Sequence, residues 1–209
     1  MGNNRPPFKP DTVFHVYNHG NAEDNIFREE ENYYYFLKRY AHYIYPVART
    51  YAFCLLSNHF HLMVRIRTLK EIETFFKVDE DPQGFQNPEG LRNISNSISH
   101  QFGTFLNAYT KAYNNYYDRK GGLFRNTTDR KPVKNKTYYK NLITYIHQNP
   151  VKHGIVEKAR QWPFSSYQII LSRKETQLER REVLNWFGGK DAFVESHKEI
   201  QEIGKEEFY

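Results

Sequence analysis

Ser57-Asn58-His59-Phe60-His61-Leu62-Met63-Val64-Arg65-Ile66 is the stretch on which the reading of this chain turns. On a strand, side chains alternate between faces with a period of two. One face then carries His59, His61, Met63 and Arg65, and the other Phe60, Leu62, Val64 and Ile66. The second face is wholly apolar and belongs against a core. The first sets two imidazoles side by side, a spacing at which they can share one divalent ion such as Mg²⁺, Mn²⁺ or Zn²⁺. That reading puts a metal on the open face of a sheet. An HxH pair alone is a short motif that recurs by chance, so its weight depends on the rest of the chain.

Working outward, residues 49–56 form the partner strand, joined to the histidine strand by a tight turn at Ser57-Asn58. Upstream, residues 12–18 are β-branched and aromatic and end at Asn18-His19-Gly20-Asn21, which predicts a first strand and a turn. Between them Tyr33, Phe36, Leu37, Tyr40, Ala41 and Ile44 recur at helical spacing behind Glu29-Glu30-Glu31, acids suited to a helix N-terminus. A β-α-β-β order results. Residues 68–90 read as a loop or partly helical insertion. From 93 to 117 a long amphipathic helix follows, closed by Gly121-Gly122. Because the apolar face of the histidine strand needs a covering layer, both helices are expected opposite the imidazoles. Residues 130–134 suit an edge strand, since Pro132 bars them from a sheet centre. Residues 136–148 are helical in composition and stop before Asn149-Pro150. The aromatics of Trp162-Pro163-Phe164-Ser165-Ser166-Tyr167 and a last helical stretch with Val183, Leu184, Trp186 and Phe187 read as packing on the main domain.

Composition narrows the class. A 209-residue chain with 39% hydrophobic and 17% aromatic residues can build a full core. Thirty Lys and Arg against 24 Asp and Glu give a net charge of +6, which suits an anionic partner. Basic residues interleaved with aromatics suit single-stranded nucleic acid, whose bases stack and whose phosphates need neutralising. One cysteine, Cys54, excludes an internal disulfide and reads as core. With no apolar leader and no window of about 20 apolar residues, the expectation is a cytoplasmic protein without a membrane span.

Tyr17-Asn18-His19-Gly20-Asn21, Ser57-Asn58-His59-Phe60-His61-Leu62, Gly122-Leu123-Phe124, Tyr145-Ile146-His147-Gln148-Asn149-Pro150-Val151-Lys152-His153-Gly154 and Trp162-Pro163-Phe164-Ser165-Ser166-Tyr167 occur in this order. The series resembles the single-tyrosine HUH transposases, in their REP-associated tyrosine transposase branch. The resemblance implies a mixed α/β (α+β) fold: a ferredoxin-like antiparallel sheet with two helices on one face and the HUH metal site on the other. A further helix carries the tyrosine, and a helical C-terminal extension follows. Residues 1–170 would form the transposase domain, with the insertion at 68–90, and 171–209 the extension. It implies His59 and His61 as ligands of Mg²⁺ or Mn²⁺, Asn149 as a further metal ligand and Tyr145 as nucleophile. Asn149 stands four residues after Tyr145, and such residues share a helix face.

A phenol of pKa about 10 is a poor nucleophile at neutral pH unless a cation favours its phenolate. Attack by Tyr145 would leave a 5′-phosphotyrosine and a free 3′-hydroxyl. The implied partner is single-stranded or hairpin DNA, met by Arg125, Arg130, Lys131, Lys134 and Lys152. A homodimer is compatible with the resemblance, since family members can build the site across one. His15 and His19 can line the same site, whereas His147 and His153 read as surface or DNA-facing groups. Among 17 tyrosines, Tyr138 and Tyr139 are the nearest rivals of Tyr145. Two other readings remain: a domesticated repeat-DNA-binding protein without chemistry, and a phosphodiesterase that uses water.

Overall fold

The structure, a computed structural model, describes residues 5–76, 88–125 and 128–198. Its frame is one antiparallel sheet of β1 (Val13–His19), β2 (Ala48–Leu56), β3 (His59–Ile66) and β4 (Asp129–Val133), in the order β2-β3-β1-β4. Helix α1 (Glu30–Ile44) links β1 to β2, and the long α3 (Pro88–Tyr116) lies between β3 and β4, the connectivity of a ferredoxin-like fold. The β2–β3 hairpin pairs Leu56 with His59, which leaves two residues for the turn. Both helices pack on the face of Phe14, Val16, Phe60 and Leu62. Phe36 of α1 meets Phe60 and, from α3, Phe105 and Tyr109, while Phe102 of α3 stacks on Phe8, which meets Phe14 edge-on. The expected opposition of helices and imidazoles therefore holds.

Helix α2 (Leu69–Phe76) gives the insertion its helical part, while 77–87 lie outside the described residues. β4 sits at the sheet edge with Pro132 opposite Phe14, where the missing N–H is tolerated. The other edge, β2, is covered by the chain that follows α4 (Lys136–Lys152). Leu55 N–H donates to the Phe164 carbonyl, Ser166 N–H to the Phe53 carbonyl, and Trp162 Nε1 to the Leu55 carbonyl, each at 2.9 Å. The Trp162–Tyr167 motif is thus an edge cover that removes a row of unpaired backbone groups. Cys54 is fully buried, as read.

Two expectations are corrected. The helix from 136 does not stop at Gln148 but runs through Pro150 to Lys152. Pro150 stands in the last turn, where its missing N–H removes only one helical bond, and the His153 N–H still reaches the Asn149 carbonyl at 3.0 Å. Nor is the histidine face open. Helix α4 crosses it against β2 and β3, and α5 (Tyr167–Leu171), α6 (Arg180–Phe187) and α7 (Lys190–Ser196) complete the C-terminal side. His59 and His61 are both buried. Among the described residues, no helix is long and apolar enough to cross a membrane.

Candidate active site

Three of the sequence motifs tie together at one end of the sheet. Gly20 N–H donates to the Asn58 carbonyl at 2.7 Å, Asn21 N–H to the Leu123 carbonyl at 2.9 Å, and Asn21 Nδ2 to the Gly122 carbonyl at 3.0 Å. Gly20 is required by close approach, because a β-carbon there would stand 2.1 Å from the Asp24 carbonyl oxygen. The knot fixes where β1 ends and places His19 directly opposite His59, with Tyr17 opposite His61.

His59 stacks on His19 with ring centroids 4.8 Å apart, and the His153 ring lies 5.1 Å away. Its Nδ1 is 2.7 Å from Asn58 Oδ1. An amide oxygen only accepts, so Nδ1 carries the hydrogen and Nε2 keeps a lone pair. That Nε2 is buried and makes no hydrogen bond. Burial pushes the imidazole pKa down to about 3, helped by His19 and His153, while the Asn149 side chain acts in the opposite sense, as an oxygen facing the ring does. His61 is held well below the usual range, first by burial and then by His15, whose Nε2 lies 3.0 Å from His61 Nδ1. Both rings are neutral at neutral pH, the state in which imidazole binds a metal.

Helix α4 brings the fourth motif over these rings. Tyr145 stands edge-on to His61 at 5.6 Å and to His15 at 6.1 Å. One turn later, Asn149 donates from Nδ2 to the Tyr145 carbonyl at 2.9 Å, which leaves Oδ1 as its possible ligand atom. The Lys152 ammonium lies 4.7 Å from the centre of the Tyr145 ring. All of these residues belong to one chain, so the tyrosine faces its own chain's histidines. Of the rival tyrosines, Tyr139 packs on Trp186 at 4.8 Å, and Tyr138 borders a cavity beside His15. Among the described residues no group of three or more His, Cys, Asp or Glu side chains could hold a metal ion. A metal ion bound here would therefore find two imidazoles and an amide oxygen as its protein donors. The His59 Nε2, buried without a hydrogen bond, and the Asn149 side chain beside that ring fit a divalent ion with that donor set.

The basic residues divide. Arg125 is exposed and adds to the burial that lowers the His19 pKa. Lys131, paired with His15 in the ladder, shares the histidine face, and with Lys134 it lines the cavity beside His15. Arg130, its neighbour on β4, points to the other face. There its guanidinium lies over Phe8, donating to the Pro6 carbonyl at 2.7 Å and to Ser99 at 3.1 Å. Arg130 thus serves packing, whereas the sequence suggested a DNA contact. His147 is corrected as well: it is fully buried between Ser166 and His197. His153 is exposed beside His59, as read. Sequence reasoning missed Asn58 as more than a turn residue; its position before the first histidine was the available signal.

No family model matches the chain. A putative REP-associated tyrosine transposase of Haemophilus influenzae is 24% identical over 118 residues, which cover 56% of this chain and 58% of that protein. A REP-associated tyrosine transposase of Escherichia coli is 39% identical over 41 residues, 20% of this chain and 25% of that protein. The chain thus spans less than two thirds of the curated relatives it matches. A solved structure described as a REP-associated tyrosine transposase bound to a REP hairpin has a TM-score of 0.49 at 19% identity, covering 83% of this chain and 86% of that one. Both curated relatives carry the family description to which the ordered motifs point, and the chain is similar to REP-associated tyrosine transposases over those stretches.

Proposed function

We propose that the protein is a DNA nuclease and strand transferase that cuts single-stranded or hairpin DNA through a 5′-phosphotyrosine, with Tyr145 as nucleophile. The observation that carries this reading is the meeting, within one chain, of the Tyr145 ring with His61 and of the Asn149 side chain with His59. The phenol oxygen attacks the scissile phosphorus and forms a P–O bond. The bond to the 3′-oxygen breaks, the phenol gives up its proton and the 3′-oxygen takes one to become a 3′-hydroxyl, so no net proton is gained or lost. The ester is conserved in the exchange, so a 3′-hydroxyl can reverse the step and join strands without a nucleotide cofactor. A divalent ion, Mg²⁺ or Mn²⁺, held by His59, His61 and Asn149 would favour the phenolate and offset charge on the phosphoryl oxygens. Asn149 ties its own position to that of Tyr145 through the Tyr145 carbonyl, one turn below on α4. The Lys152 ammonium over the ring favours negative charge on the phenol. Arg125, Lys131 and Lys134 supply positive charge around the histidine face for the phosphate backbone.

The test uses hairpin DNA labelled at either end, with Mn²⁺ and with Tyr145→Phe as control. A denaturation-resistant adduct that carries the 3′-side fragment and is absent in the variant is the expected result. Cleavage that survives in Tyr145→Phe would favour attack by water. Tight hairpin binding with no cleavage by either protein would leave a DNA-binding protein without chemistry.

A further inference from the structure

The two candidate ligands share one arrangement. His59 Nδ1 is held by Asn58 Oδ1 at 2.7 Å, and His61 Nδ1 by His15 Nε2 at 3.0 Å. In each ring the nitrogen nearer the backbone is bonded to another protein residue, which leaves Nε2 as the atom to meet a cation. For His59 the partner is an amide oxygen and the tautomer follows directly. For His61 the partner is another imidazole, and the bond can run in either direction. If His15 donated, His61 would carry its hydrogen on Nε2 and could not ligate.

We infer that His15 is a positioning residue of the metal site: its Nε2 accepts from His61 Nδ1–H and so fixes the tautomer and orientation of His61. This inference rests on the metal reading above. His15 faces Met63 in the β1–β3 ladder, so its ring reaches His61 along the cross-strand diagonal. The His15 and His61 rings lie nearly parallel, at 25° with centroids 5.1 Å apart. Tyr17 flanks both, 4.8 Å from the His15 ring and 5.8 Å from that of His61. Metal-bound histidines are commonly held in this way through the second ring nitrogen, and removing the holder typically weakens binding by about 10- to 100-fold. A cavity of about 260 Å³, lined by Lys131, Lys134 and Tyr138 among others, lies against His15. Truncation to alanine would admit water as a substitute acceptor, so the informative variants keep the volume.

The experiment measures Mn²⁺ binding to the full chain without DNA, by electron paramagnetic resonance, for wild type, His15→Leu, His15→Gln and His61→Ala. Wild type is expected to bind and His61→Ala to lose binding. His15→Leu should weaken binding by about 10- to 100-fold, and His15→Gln, whose Oε1 can accept in place of the ring nitrogen, should restore most of it. Equal binding by His15→Leu and wild type would overturn the inference and reduce His15 to packing. Loss in both His15 variants to the level of His61→Ala would overturn it in the other direction, making His15 a ligand. Absence of binding by wild type would instead remove the metal reading on which the inference stands. Long-range ¹H–¹⁵N NMR of the metal-free wild type gives a second readout that needs no variant to fold. It should show His61 protonated on Nδ1, and protonation on Nε2 would sink the proposal.

Discussion

Two buried histidine assemblies lie on opposite sides of α4, and they differ in what they leave undone. Beneath the C-terminal helices, His197 Nδ1–H donates to the Phe193 carbonyl at 2.7 Å, and His197 Nε2 accepts from His147 Nδ1–H at 3.0 Å. His147 Nε2 in turn accepts from Ser166 Oγ at 2.7 Å. The Ser166 oxygen accepts the Phe53 N–H at 2.9 Å. Each hydrogen has a place, so the direction of the chain is determined from end to end. It ties α7, α4 and the strand edge together. On the Tyr145 side, His59 is equally desolvated, yet its Nε2 ends in a buried position with no hydrogen bond. A satisfied network specifies a fold, whereas a lone pair withheld from water and from the protein costs stability that only a ligand repays.

The largest expected effect breaks the second assembly. His59→Ala should lower cleavage by about 10³-fold or more, the scale at which loss of one group in a cooperating catalytic set is felt. Its stability should fall less than that of His147→Ala, since the lost ring packing and Asn58 hydrogen bond are partly offset by removal of an unsatisfied buried nitrogen. Because Tyr145 faces its own chain's histidines, mixing His59→Ala with Tyr145→Phe should not restore the adduct. Restored adduct would mean that partners exchange α4.

His147→Ala is the opposite case. It leaves the Ser166 hydroxyl and His197 Nε2 without their partner and opens a cavity beside Tyr167 and Phe193. A loss of about 3 kcal/mol follows from those two causes together, measurable by urea unfolding. Mn²⁺ binding by the folded fraction should be unchanged. If binding falls with stability, the two assemblies are coupled through α4 and the contrast between them fails.

Much of this contrast was legible in the sequence on the side of the site and little on the side of the clamp. Period-two alternation placed Phe60 and Leu62 in the core and His59 and His61 together, because strand geometry is local. The two-residue turn, the acids ahead of α1 and Pro132 at an edge are local signals too. His147 lies two residues from Tyr145 but on the other side of α4. Its partners, Ser166 and His197, are 19 and 50 residues away, and no period announces such a meeting. The helix through Pro150 was missed because the bias against helix before proline is a preference that tertiary packing overrides in a last turn. The covering of the histidine face depended on where α4 lands, which is a tertiary fact.

Acid sharpens the comparison by a smaller step. Burial lowers the His197 pKa to about 4 and holds His147 well below the usual range. As pH falls below about 6.5, the unfolded imidazoles take up protons that the folded ones refuse, so the unfolded state binds more protons and stability declines. For each such histidine the slope approaches about 1.4 kcal/mol per pH unit between its unfolded and folded values. His197→Gln keeps an acceptor toward His147 but cannot titrate. Its unfolding free energy should fall less steeply than that of wild type between pH 6 and the His197 value of about 4. An unchanged slope would show that His197 is already solvated.

The smallest effect separates two neighbours on β4. Lys131 shares the face of the histidines, while Arg130 lies over Phe8 on the other. Lys131→Ala should leave the melting temperature alone, weaken hairpin binding a few-fold, and lower the dependence of log affinity on log salt by about one unit of slope, as the loss of a single phosphate contact does. Arg130→Ala should do the reverse. It removes hydrogen bonds to Pro6 and Ser99 together with a cation–π contact, a loss of about 1–2 kcal/mol in stability. Its salt slope should stay unchanged. If instead both variants lowered the salt slope equally, the DNA path would wrap around the β4 edge and reach both faces of the sheet.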